Sequence, residues 1–136
     1  MMKNWQPALL GSLVRAADTA PAHAAMQAGE RSLRAQGFDA PHRHPVGDCE
    51  LLWFATPGNP AASGLFQALG DGAIACVGTL FHRGRTGAPA LRLLWDTFDT
   101  PAGLAADDLH GNYVLAIAKA GQLWLFTDRL GMAKLY

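Results

Sequence analysis

The last third of the chain decides the fold, and it reads LHGNYVLAI over residues 109–117 and LWLFTDRLGMAKLY over residues 123–136. Both stretches contain an apolar run rich in residues that favour β-strands. The two runs flank Lys119-Ala120-Gly121-Gln122, which has the length of a hairpin connection. The segment therefore predicts two adjacent antiparallel strands followed by a tight polar corner.

The composition of the chain predicts a single domain over residues 1–136 with few charges on its surface. Half of the residues are hydrophobic and only 16% are charged, against about 25% in typical soluble domains. We therefore expect another protein surface to cover part of this one. Eleven acidic and eleven basic residues cancel, which excludes nucleic acid and anionic membranes as main partners. With no apolar stretch long enough to span a bilayer and no signal peptide, the chain is expected to be cytoplasmic.

The first half of the chain mixes strand and helix signals, with two cysteines that lack CxxC spacing. Cys49 and Cys76 both lie in apolar surroundings, which predicts buried, reduced thiols rather than a disulfide framework or a zinc site. The predicted elements are, in order, a strand over Pro7–Val14, a helix capped by Thr19 and ended by Gly37, a loop over Phe38–Gly47 and a strand over Glu50–Thr56.

The second half continues the alternation up to the closing hairpin. Leu91, Leu94, Trp95 and Phe98 follow the i, i+3, i+4, i+7 spacing of an amphipathic helix, so Trp95 and Phe98 are expected in the core. The elements predicted before the hairpin are a short turn of helix or strand over Ser63–Leu69, a turn at Gly70-Asp71-Gly72, a strand over Ala73–Phe81, the amphipathic helix capped by Thr86, and a short helix from Thr100 to Asp108. This order indicates an α+β fold.

A leucine-x-glycine strand opening at Leu109, a hairpin, and an Asp128-Arg129-x-Gly131 corner ending in Leu135-Tyr136 are the motifs that suggest a family. They resemble the end of the glutaminase half of asparagine-synthetase-like enzymes, which are class II glutamine amidotransferases with an N-terminal-nucleophile (Ntn) fold. The resemblance implies an αββα sandwich over the whole chain, with two antiparallel sheets face to face and helices outside. It leaves open whether the chain is a stand-alone domain or a fragment whose domain continues past Tyr136.

The nucleophile of that family is a cysteine at position one of the mature chain, with its own α-amino group as base. This sequence begins Met1-Met2-Lys3-Asn4, and its first cysteine is Cys49. Cleavage before Cys49 would leave too little chain to build the sheets, and Cys49 lacks the glycine that follows the nucleophile in the family. We therefore expect no N-terminal nucleophile.

The resemblance also places an asparagine-glycine-glutamate signature at Val77-Gly78-Thr79. The asparagine amide helps to form an oxyanion hole, and such a donor supplies about 2.7–4 kcal/mol to the transition state. Valine has no donor and threonine cannot replace the acid. The acid expected just before the next helix is missing as well, because that stretch reads Thr86-Gly87-Ala88-Pro89. The resemblance therefore implies a degenerate glutaminase domain with no catalytic residues.

The Asp128-Arg129 corner is the family motif that survives. Asp128 and Arg129 can form a local ion pair, Asp128 can accept backbone donors, and Gly131 supplies a permissive backbone angle. The corner is either a self-contained turn or a docking feature for the ATP-using half, and Lys134 departs from the lysine-proline order of the family.

Three further clusters of charged residues and histidines could be either surface groups or binding sites. His42-Arg43-His44 is expected to be a solvated corner rather than a metal or anion site, and Asp107-Asp108 surface charge rather than a catalytic pair. His82-Arg83-Gly84-Arg85 predicts a solvated loop, with the alternative that Arg83 and Arg85 hold the carboxylate or phosphate of a small acidic metabolite.

The leading functional hypothesis is a non-catalytic, glutaminase-like scaffold domain of an ATP-dependent amide-forming system, similar to β-lactam synthetases and lasso-peptide cyclases. The chain lacks a serine-glycine-glycine-x-aspartate-serine loop, so ATP and Mg²⁺ are implied only for a synthetase domain absent from it. The expected partner is that domain or subunit, or a second copy at the C-terminal edge, including Leu135-Tyr136. The alternatives are a stand-alone binding module and an enzyme with Cys49 or Cys76 as an internal nucleophile.

Overall fold

The computed structural model describes residues 12–15, 17–55, 57–58, 64–104 and 108–131. Within these ranges the chain forms two antiparallel sheets and two α-helices, which confirms the α+β expectation. The part of the predicted first strand before Ser12 lies outside the described residues, as do Lys134, Leu135 and Tyr136.

The first sheet, sheet A, is antiparallel and has the order β1-β3-β2, built from β1 (Ser12–Arg15), β2 (His42–Val46) and β3 (Cys49–Trp53). The prediction of a loop over Phe38–Gly47 is wrong, because β2 lies inside that range. Pro45 suggested a loop because it has no N–H to donate. Since β2 is a terminal strand of the described sheet, that missing donor is tolerated.

The second sheet, sheet B, has the order β4-β5-β7-β8, and a short two-residue strand, β6, pairs with the end of β5. Its strands are β4 (Phe66–Leu69), β5 (Gly72–His82), β6 (Arg85–Thr86), β7 (Leu109–Lys119) and β8 (Gln122–Thr127). The predicted closing hairpin is confirmed. Ala120 and Gly121 form its tip with φ values of 53° and 72°, the positive angles that two-residue type I′ hairpin turns require.

Helix α1 spans Ala20–Ala35, and the Thr19 side chain accepts a hydrogen bond from the Ala22 N–H at 3.3 Å, so the predicted cap is confirmed. Helix α2 spans Gly87–Thr97. Thr86 occupies its N-cap position, but its hydroxyl donates to the Leu80 carbonyl at 2.9 Å and makes no cap bond. The hydroxyl is already engaged by the strand before it, which corrects the predicted capping role.

The predicted helix from Thr100 to Asp108 is also corrected. Its described part is a single 3₁₀ turn over Pro101–Gly103, and β7 begins at Leu109. No helix in the described ranges is both long enough and apolar enough to cross a membrane.

Three apolar clusters hold the layers together. Helix α2 covers one face of sheet B, sheet A lies against the opposite face, and α1 covers the outer face of sheet A. Strand β3 links two of these clusters because Leu51 and Leu52 point to opposite faces. Phe98 is buried and Trp95 packs against the same cluster, which confirms their predicted core role.

Candidate functional site

The sheet register brings the positions singled out by the sequence resemblance together around one residue of β7, Tyr113. Gly78 of β5 is the register partner of Tyr113. On the other side, just after β8 ends, the Asp128 N–H donates to the Tyr113 carbonyl at 3.0 Å. Val77-Gly78-Thr79 and the Asp128 corner therefore flank the same stretch of β7, although Asp128 comes 50 positions after Gly78 in the chain.

Two glycines allow β5 and β7 to approach closely at this point. Gly78 has a φ of 92°, and a Cβ there would lie 2.2 Å from the Asn112 carbonyl oxygen. Gly111 has a φ of 114°, and a Cβ there would lie 2.1 Å from the Thr79 carbonyl oxygen. Each strand therefore needs a glycine where the backbone of the paired strand comes closest, since any side chain there would collide with a carbonyl oxygen.

The polar corner after β8 is fixed by backbone donors, as predicted. The Asp128 side chain is 4% exposed and its Oδ1 accepts the Leu130 N–H at 3.0 Å. The Gly131 N–H donates to the Asp128 carbonyl at 3.0 Å, and Gly131 has the permissive φ of 62°. Arg129 lies exposed on the outside of this turn. Burial, and then the nearby Asp128 carboxylate, raise the pKa of the Tyr113 phenol.

The side chains at the signature positions offer little for acyl-transfer chemistry. Val77 is half-buried and packs in the cluster between the two sheets with Trp53 and Ala75, and it has no hydrogen-bonding atom. Thr79 is exposed and is the register partner of Asn112, which is exposed too. Asn112 is a side-chain amide that sequence reasoning missed. A polar residue inside the apolar run after Leu109 was the available signal, but only the register places it beside Thr79.

The two cysteines differ in their surroundings. Cys76 is 1% exposed, as predicted, and burial raises the pKa of its thiol to about 12. The thiolate, which is the reactive form, is thus strongly disfavoured at neutral pH. Cys49 is only half-buried, so its predicted burial is wrong. It opens β3 opposite Val46, next to the Gly47-Asp48 turn, where the sheet ends and solvent approaches.

An aromatic cluster joins the two sheets next to Cys76. The Trp53 indole N–H donates to the Cys76 carbonyl at 3.0 Å in a buried position. The Phe66 ring lies 6.1 Å from the Trp53 ring, centroid to centroid, and stacks on the imidazole of His42 at 4.9 Å. His42 is thus a strand residue in an inter-sheet aromatic contact, and it remains exposed to solvent.

The neighbours of His42 also have partners within the chain. Arg43 forms ion pairs with Glu30 of α1 and Glu50 of β3, and hydrogen bonding to Glu30 raises its pKa. His44 Nε2 lies 3.2 Å from the Asp71 carbonyl oxygen. These contacts tie β2 to α1 and to the turn between β4 and β5, while His42 and Arg43 remain exposed to solvent, as predicted.

The His82–Arg85 stretch is a tight hairpin turn between β5 and β6, in which Arg83, Gly84 and Arg85 are exposed as predicted and His82 is not. Arg83 and Gly84 form its tip with φ values of 47° and 75°. His82 is 1% exposed, and its Nδ1 lies 3.1 Å from the Asp108 carbonyl oxygen. Arg83 pairs with the Asp108 carboxylate at 3.2 Å. Asp108 thus anchors the turn through a surface ion pair, with its side chain 35% exposed in line with the expected surface charge, whereas Asp107 lies outside the described residues.

The two arginines proposed as ligand-binding residues are both exposed. Arg83 sits at the turn and already has an anionic partner, whereas Arg85 opens β6 opposite His82. The hairpin therefore carries two guanidinium groups, of which the Arg83 group forms an ion pair with Asp108.

Comparison with models of known protein families, with curated proteins and with solved structures found no match to this chain.

Proposed function

We propose that this chain is a glutaminase-like domain on the αββα Ntn-type sandwich that has lost the chemistry of glutamine hydrolysis. The layers support the proposal, because the described clusters stack α1, sheet A, sheet B and α2 in that order. Both sheets are antiparallel, as the sandwich requires.

The observation that carries the proposal is the convergence of three motifs on Tyr113. The signature glycine, Gly78, precedes the leucine-x-glycine strand opening by 31 positions, and the aspartate-arginine corner follows that opening after one hairpin. Each of the three motifs is common by itself. In the fold, Gly78 pairs with Tyr113, Gly111 accommodates the Thr79 carbonyl, and the Asp128 N–H bonds to the Tyr113 carbonyl. Motifs that derive from one ancestral site are expected to meet in this way.

The loss of chemistry follows from the side chains that occupy those positions. Val77 places a half-buried aliphatic side chain where the amide donor is expected, and Thr79 has no carboxylate. The Cys76 thiol is buried, with a pKa of about 12, which makes it unsuitable as a substitute nucleophile. The retained function is then structural, as a scaffold for an ATP-dependent amide-forming synthetase. In this proposal, ATP and Mg²⁺ belong to the synthetase.

The scaffold role is tested on the reading frame that follows this one. We expect it to encode a synthetase with a serine-glycine-glycine-x-aspartate-serine loop. We also expect the two purified proteins to form a stable one-to-one complex in size-exclusion chromatography. Arg129→Glu at the corner tests a docking role, with Arg92→Glu on the exposed side of α2 as matched control. A synthetase that folds and works equally well without this chain would overturn the scaffold proposal.

A binding module is the second candidate, and the exposure of Arg83 and Arg85 on one hairpin is the observation that favours it. Its ligand would be a small dicarboxylate or phosphorylated acid, held mainly by Arg85 because Arg83 pairs with Asp108. Isothermal titration with succinate, glutamate and inorganic phosphate tests this candidate. Binding that Arg85→Gln abolishes and Arg92→Gln preserves would support it, and no detectable heat with any of the three would exclude it.

A further inference from the structure

Strand β8 lies at one end of the order of sheet B, and its sequence carries none of the usual protection of an edge. Its inner side pairs with β7 from Lys119–Gln122 to Val114–Thr127. In the described part of the chain no strand pairs with its outer side. Its six residues, Gln-Leu-Trp-Leu-Phe-Thr, include no charge, no proline and no glycine. Edges of monomeric sheets are normally blunted by such residues, by bulges or by a covering segment.

Apolar side chains remain partly exposed on both faces of β8. Leu123 borders the cluster between the two sheets, and Leu125 is 40% exposed. On the other face, Trp124 and Phe126 contact Phe98 edge to face, at 5.2 Å and 6.0 Å between ring centroids, and both stay half-buried. The cluster between the sheets and the core beneath α2 thus cover the two faces of β8 only in part.

We propose that two copies of the chain join through β8, edge to edge and antiparallel, to form one continuous sheet. This inference goes beyond the scaffold proposal and does not depend on it. An antiparallel pair about a two-fold axis makes the same strand complementary to itself, so each unpaired backbone edge meets an equal one. A second copy is favoured over a different protein because β8 has no charges with which to select an unlike partner. The zero net charge of the chain also removes overall repulsion between copies.

The alternation of side chains sets the favoured register. With Leu125 on the two-fold axis, the most exposed apolar side chain of β8 contacts Leu125 of the second copy. Trp124 then lies opposite Phe126 of the second copy on the α2 face, and Leu123 lies opposite Thr127 on the other. Directly opposed residues of antiparallel strands share a face, and aromatic pairs add to the stability of such ladders.

Sedimentation velocity and light scattering of the full chain over a concentration series test the proposal. We expect a dimer whose dissociation constant rises at least about thirtyfold in Leu125→Lys, the loss typical of a central interface residue. Leu130→Lys is the matched control, because Leu130 is 84% exposed but lies outside β8. Circular dichroism establishes that both variants are folded.

Amide hydrogen exchange gives a second measurement that does not depend on substitutions. Protection of β8 amides should increase with protein concentration, whereas protection in β4, at the opposite end of the sheet order, should stay constant. A wild type that remains monomeric at millimolar concentration would overturn the proposal. So would a Leu125→Lys variant that dimerises as tightly as the wild type, or concentration-dependent protection in β4 alone.

Discussion

Replacing Gly78 by alanine should destabilise the fold strongly, because two separate costs combine at this residue. The first is backbone strain, since Gly78 has a φ of 92°, and an L-residue at a positive φ of this kind costs about 1–3 kcal/mol. The second is steric. The new Cβ would lie 2.2 Å from the Asn112 carbonyl oxygen, which belongs to the β5–β7 ladder and cannot move freely, and overpacking of this kind costs about 1–3 kcal/mol. We expect a total loss of about 2–6 kcal/mol in the free energy of unfolding.

Urea unfolding followed by far-ultraviolet circular dichroism measures this loss. Gly84→Ala is the matched control, because Gly84 has a φ of 75° but a Cβ there would meet nothing within 4 Å. The control therefore reports strain alone, about 1–3 kcal/mol, and the difference between the two variants reports the clash. If Gly78→Ala lowers the free energy of unfolding no more than Gly84→Ala does, the backbones of β5 and β7 do not approach as closely at Gly78 as the structure shows.

Two further predictions concern the buried contacts next to the signature. Trp53→Phe keeps an aromatic ring but removes the N–H that bonds to the Cys76 carbonyl at 3.0 Å. The free energy of unfolding measured by urea titration should therefore fall by about 1–3 kcal/mol, and an unchanged urea midpoint would show that the bond contributes nothing to stability. Burial raises the pKa of the Cys76 thiol from 9.0 to about 12, so the folded state retains a proton that the unfolded state loses, and stability should fall as the pH rises through this range. Unfolding midpoints measured from pH 8 to pH 11 should drop less steeply in Cys76→Ala, and equal slopes would contradict the assignment.

The elements that could be predicted from sequence are those whose signals are local. The closing hairpin depends on two β-rich runs and a short turn, and α1 on a threonine cap followed by proline, so both are found where expected. Strand β2 escaped prediction because its pattern, His-Arg-His-Pro-Val, is polar and contains proline. Its stability as a strand comes from pairing with β3 and from contacts with Phe66 and Glu30, and the last two lie outside the local segment.

The candidate site was predictable in its parts but not in its arrangement. Val77-Gly78-Thr79 and the Asp128 corner could be identified one by one from the motifs. Their meeting at Tyr113 depends on the register of three strands, which no local pattern specifies. The sequence predicts a solvated loop at His82 because two arginines follow it. The burial of His82 accompanies a contact with the Asp108 carbonyl, which lies 26 positions further along the chain.

The most direct test of the central claim is an assay for glutamate release from glutamine by the purified chain with Met1 intact. A variant carrying both Cys49→Ala and Cys76→Ala is the control, because it removes every thiol in the sequence. We expect the wild type and the double variant to release glutamate at the same background rate. Release by the wild type clearly above that of the double variant would show a working cysteine nucleophile and would contradict the claim that this domain has lost its chemistry.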